Sequence, residues 1–223
     1  MIDRYFATDM PFWRFALNTL AVSGLCLIPL LLVYVGSTPG FGPMLLDGGT
    51  ALRLFLRQVV TNGLLVVFTV NYTGFFLYAA LKAERGRDDA SALVLLIDPP
   101  LRVVLFILLH GLIYFLSADW FRSFGGDHWL ALRVVGPTLA RSALFANLSG
   151  VYFYATLGSA APVYTVAITQ LLANGAGQRT WFSPLLHALP RRFAAVLLAV
   201  ALFAACALLL TAVATGIVYL QAL

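Results

Sequence analysis

Residues 90–118 read "ASALVLLIDPPLRVVLFILLHGLIYFLSA". How this stretch is divided decides how many helices the chain has and where they begin. Asp98, Arg102 and His110 sit in it among aliphatic and aromatic residues. In one division, Asp98 is an N-cap, Pro99 and Pro100 fill the first turn, and a span covers 99–118. "ALVLLI" at 92–97 is too short to cross a bilayer and then lies at the interface. In the other division, a kinked span covers 90–118 and places Asp98 and Arg102 four apart as an ion pair inside the membrane. Charges in hydrocarbon are costly, so the first division is preferred.

The rest of the chain sets the context. Of its 223 residues, 61% are hydrophobic and 10% charged, against about 25% charged in an ordinary soluble domain. A surface this apolar is better matched to lipid than to water. The expected class is an all-α integral membrane protein: one polytopic domain over 1–223, a bundle of about five transmembrane helices with short interfacial helices in the loops. The formal charge of +5 reads as a topology signal and as contact with anionic head groups, not as nucleic-acid binding. Cys26 and Cys206 lie inside apolar runs and read as small buried hydrophobes. "MIDRYFATDMPFWRF" at 1–15 precedes a run of full membrane length with no cleavage site, which reads as a retained first helix.

The expected spans are 12–35, kinked by Pro29; 59–81, the membrane part of a long helix whose start carries Arg53 and Arg57 on one face; 99–118; 138–173, bent near Pro162; and 193–221. Between them fall a Gly/Pro loop at 36–50, a mixed-charge loop at 82–91, an interfacial stretch at 119–136 and a second at 174–192. No internal repeat is visible, which argues against an inverted-repeat transporter. With the N-terminus inside, nine of the 14 basic residues fall on the inner side. Were 160–173 re-entrant instead, the balance would reverse. Five spans with the N-terminus cytoplasmic and the C-terminus outside, in a bacterial inner membrane, satisfy the positive-inside rule.

Several polar residues invite functional readings. His110 lies about halfway along the third span and is expected to face the bundle interior and find a polar partner on a neighbouring helix. Asn71, Asn147 and Tyr154 could join it in a polar pocket for a ligand or cofactor. Haem ligation would need a second histidine at matched depth, and His128 and His187 lie in loops on opposite sides. Ser149 with His110 supplies no third group and no oxyanion loop, so no catalytic residue is assigned. Asp119, Asp127 and His128 are candidate metal ligands, in a spacing that matches no specific pattern. Trp120 and Trp129 have the composition of an interfacial belt, and Arg191 and Arg192 suit anionic lipid head groups. Ala201, Ala205, Ala212 and Gly216 form a small-residue stripe for close packing, inside the bundle or against another chain.

These residues favour a non-catalytic membrane subunit that docks on or scaffolds a larger membrane assembly and binds lipids. Its expected partners are lipids and other subunits or a second copy, with no cofactor assumed. The rivals are a small transporter or channel with a pocket at His110, and a membrane enzyme or haem or metal carrier using His110.

Overall fold

The computed structural model describes residues 4–47, 49–174 and 190–223, with the backbone alone described for 86–89 and 174. The expected interfacial stretch at 174–192, with Arg179 and His187, lies mostly outside the described residues. The described elements are helical throughout. Five helices are long and apolar enough to span a membrane.

Helix α1 covers Phe12–Ser37 and contains Pro29. It buries Phe15, Thr19, Ser23 and Leu27. That i, i+4 stripe is the single face a helix can turn to its neighbours. Trp13, Leu17, Leu25 and Leu32 point away and are exposed, as suits a lipid-facing surface. Short helix α2 (Phe41–Asp47) lies where a Gly/Pro loop was expected, and α3 (Gly49–Gln58) follows at the start of the expected long helix. A π-helical turn, Val59–Leu64, joins α3 to α4.

Helix α4 has helical backbone over Leu65–Trp120, yet it is not a rod. Asn71 and Arg102 would stand about 46 Å apart along a straight helix at 1.5 Å per residue, and their side chains are 2.6 Å apart. The chain therefore doubles back, and its two limbs belong to separate candidate spans, Gly49–Arg85 and Ala90–Trp120. This corrects two expectations. Residues 82–91 are helical and not an irregular loop, and the third span begins near 90, before the prolines, so Asp98 lies inside a helix and caps none.

Helix α5 (His128–Ala143) is too short to cross. Its N-cap is Asp127, whose carboxylate accepts from the amides of Trp129 and Leu130 at 2.8 and 3.1 Å. It lies along the end of the last helix. A Cβ on Gly136 would come within 2.9 Å of a Val218 methyl and 3.3 Å of an Ile217 methyl, so a larger residue there would have to displace those side chains. The chain reverses at 144–147, where Phe145 adopts φ 55°. Helix α6 (Leu148–Asn174) then runs through Pro162. The fourth span thus starts at 148, ten residues later than expected; residues 138–143 belong to α5. Helix α7 covers Arg191–Ala222.

Helix α6 is the centre of the bundle and the most buried of the candidate spans. One apolar cluster joins Val66, Val70, Phe106, Leu139, Phe153 and Leu210; another joins Phe6, Phe75, Val94, Val163, Tyr164 and Ala195. One end of the bundle gathers Arg57 over the Phe121 ring at 4.0 Å and Gln221 on the Leu132 carbonyl. The other end stacks Phe6 on Phe75.

Candidate functional site: an ion pair held by four helical limbs

A polar network sits between the two apolar clusters. The Arg102 guanidinium donates from Nε to the Asp98 carboxylate at 2.7 Å. From Nη1 it donates to the Asn71 Oδ1 at 2.6 Å and to the Thr156 carbonyl at 3.1 Å. The Tyr164 hydroxyl donates to the same Asp98 oxygen that Arg102 engages, at 2.5 Å. Asn71 Nδ2 donates onward to Ser23 Oγ at 2.9 Å. Asp98 and Arg102 are each 2% exposed. Groups from α1, both limbs of α4, and α6 therefore converge on one ion pair.

Each helix places its group for a local reason. Asp98 and Arg102 are one turn apart, so they face the same way. Pro99 and Pro100 lack amide hydrogens and leave the carbonyls of Leu95 and Leu96 without their usual helical partners. Gly74 is required by proximity: a Cβ there would lie 2.2 Å from Arg102 Nη2 and 2.5 Å from Asp98 Oδ1. The face of the Phe75 ring lies 5.5 Å from the guanidinium carbon, within cation–π range. Removing two charges from water costs several kcal/mol each, and the pair persists only where further hydrogen bonds satisfy them. Asn71, Tyr164 and the Thr156 carbonyl supply those bonds. Asp98 Oδ1 is buried and has no hydrogen-bond partner among the described residues.

Of the expected pocket residues, Asn71 alone joins this network. His110 is buried, as anticipated, but its Nδ1–H donates to the Phe106 carbonyl of its own helix at 2.9 Å, not to a neighbouring helix. Asn147 is the cap of α6. Its Oδ1 accepts from the Gly150 amide at 2.8 Å, and its Nδ2 donates to the Thr138 carbonyl at 2.9 Å. The Tyr154 hydroxyl donates to the Ala143 carbonyl. Tyr154 also lines a largely apolar cavity of about 670 Å³ with Leu25, Cys26 and Phe203. Neither this cavity nor those beside Phe75, Met44 and Arg141 is lined by Asn71, Asp98, Arg102 or His110.

The outer candidates separate in the same way. His128 Nε2 lies 3.0 Å from Asp119, while Asp127 is committed to capping α5. Among the described residues, no three His, Cys, Asp or Glu side chains gather to hold a metal. Trp120 and Trp129 are exposed at one end of the bundle, and Arg191 and Arg192 are exposed in the first turn of α7. Ala201, Ala205, Ala212 and Gly216 are all exposed. The bundle takes another face of α7, through Ala195, Ala199, Cys206, Leu210 and Ala214.

Sequence reasoning missed Tyr164, Thr156 and Ser23 as partners of a charge. The signal available was Asp98 with Arg102 at i, i+4 in an apolar run. Fold and site together define an all-α helical bundle with five helices long and apolar enough to span a membrane, organised around an internal ion pair. A comparison of the chain with protein-family models, curated proteins and solved structures finds no match.

Proposed function

We propose that the chain is a non-catalytic integral membrane subunit that docks through α7 on a larger membrane assembly. The observation that carries this reading is the outward stripe of Ala201, Ala205, Ala212 and Gly216. These residues share one face at 100° per residue, and a Cβ on Gly216 would meet nothing within 4 Å. Small residues on a lipid-facing helix let another backbone approach closely. The ion-pair network supports the same reading. Its polar groups engage one another and join α1, α4 and α6, as in a rigid scaffold.

The orientation proposed is N-terminus cytoplasmic and C-terminus outside, in a bacterial inner membrane. Seven basic residues, Arg4, Arg14, Lys82, Arg85, Arg87, Arg191 and Arg192, belong to the proposed inner end, against five at the other. Lipid contact by Arg191, Arg192, Trp120 and Trp129 fits this placement.

The second reading is a small transporter or channel. One observation favours it: an ionisable pair is buried inside the bundle, with Asp98 Oδ1 unpartnered among the described residues, and in a membrane-spanning bundle such a pair is a functional candidate by default.

Native mass spectrometry of the protein extracted gently from its own membrane tests the first reading. Stoichiometric foreign chains, lost on Ala205→Leu and Gly216→Leu while the protein stays folded, are expected. A lone protein, or a homo-oligomer unaffected by these substitutions, would overturn it.

A further inference from the structure

We infer that the cavity behind Arg141 is a binding site for a phosphate-bearing anion. The cavity holds about 410 Å³ and lies at the end of the bundle that carries Trp120 and Trp129. It is lined by α1, α3, α4, α5 and the first turn of α6. Its chemistry is that of a donor cage. Arg141 is its one charged residue, and no carboxylate lines it. Among the described residues the Arg141 guanidinium has no ion-pair or hydrogen-bond partner. Its position in the last turn of α5 suits the negative end of that helix, and this leaves its own donors unused.

Opposite Arg141 stands the N-terminus of the 27-residue α6. Leu148 and Ser149 line the cavity. Their amides belong to the first turn, which has no intrahelical acceptors. The Asn147 cap serves the amide of Gly150 and leaves those two amides without a partner among the described residues. Ser149 is an independent observation. It is 8% exposed, lines the cavity, and its hydroxyl engages no group among the described residues. The hydroxyl is therefore free to meet a ligand in the cavity. Tyr34 and Tyr114 also line the cavity.

A cation, a helix N-terminus and several hydroxyl donors, with no acid, select an anion with several oxygens. Gly150 fixes the arrangement. Its Cβ would sit 2.7 Å from the Ser142 carbonyl, so glycine alone lets the start of α6 close on the end of α5. The cavity lies at head-group depth if the bundle crosses a bilayer. The phosphate could therefore belong to a phospholipid head group or be free in solution. This inference does not depend on docking through α7.

The test is calorimetric titration of the full chain in neutral detergent with inorganic phosphate, with short-chain phosphatidylglycerol, and with acetate. At least one phosphate-bearing probe is expected to bind saturably. Arg141→Gln should weaken it by about tenfold or more and Ser149→Ala by about threefold, in line with loss of a charged and a neutral hydrogen bond. Arg133→Gln, on the same helix but outside the cavity, should leave it unchanged. Binding of both probes assigns the site to the phosphate alone; binding of the lipid only assigns it to a head group. Saturable binding by neither, wild-type affinity in Arg141→Gln, equal loss in Arg133→Gln, or equally tight acetate would each overturn the proposal.

Discussion

Arg102 and Asp98 lie one turn apart on the second limb of α4 and meet at 2.7 Å, each 2% exposed. The pair does more than close a local contact. Arg102 also holds Asn71 on the first limb and the Thr156 carbonyl on α6. Asp98 also holds Tyr164 on α6. The limbs of α4 are thereby fastened to each other and to the central helix.

Gly74→Ala should be among the most damaging single substitutions in the chain. Its methyl would enter the space of Arg102 Nη2 and Asp98 Oδ1. The expected loss is about 1–3 kcal/mol or more from overpacking. Melting of the purified protein in detergent checks this. Gly24→Ala, with nothing within 4 Å of the new carbon, is the tolerated control.

Asn147→Ala should cost about 0.5–2 kcal/mol, the usual worth of an N-cap. It removes the acceptor of the Gly150 amide and the donor to the Thr138 carbonyl. Asn147→Asp keeps the capping oxygen and should recover part of the loss in the same denaturation assay. Equal stability of all three proteins would contradict the capping role.

His110→Leu should be mild. The Phe106 carbonyl that His110 Nδ1–H engages is one turn back on the same helix, where the backbone ladder also reaches it. Among the described residues, no other helix loses a hydrogen-bond partner. The expected loss is about 0.6 kcal/mol, the average for a polar contact within a membrane bundle. A collapse of expression would show that His110 holds something besides its own helix.

Replacing Arg191 and Arg192 by Ala should loosen the proposed orientation, because both stand at the start of α7. A reporter fused to the C-terminus would then read on both sides of the membrane. A uniformly outside reading would count against the charge argument.

The apolar spans were legible because length and composition alone reveal them. The second limb of α4 was legible in outline and misjudged at its start. "DPP" carries the local signature of a helix N-terminus, and the local rule weighs the cost of a buried charge without its partners. Those partners, Asn71, Thr156 and Tyr164, come from 31, 54 and 66 residues away, and no local pattern announces them. The start of α6 was obscured for a related reason. Residues 138–157 are apolar on both sides of the reversal, so Asn147 read as a mid-span polar group. The direction of the α7 stripe was open for a third reason: small residues fit an internal or an external face equally well, and only the packed bundle distinguishes them.

A double-mutant cycle on Asp98 and Arg102 tests the central claim most directly. Unfolding free energies in detergent would be measured for Asp98→Leu, Arg102→Leu and the double substitution. Each single change leaves an uncompensated buried charge and should cost about 3–5 kcal/mol. The double change should cost clearly less than the sum, because neither charge is then left alone. Single losses within about 0.5 kcal/mol, as at exposed sites, or losses that simply add, would contradict a bundle held together by this pair.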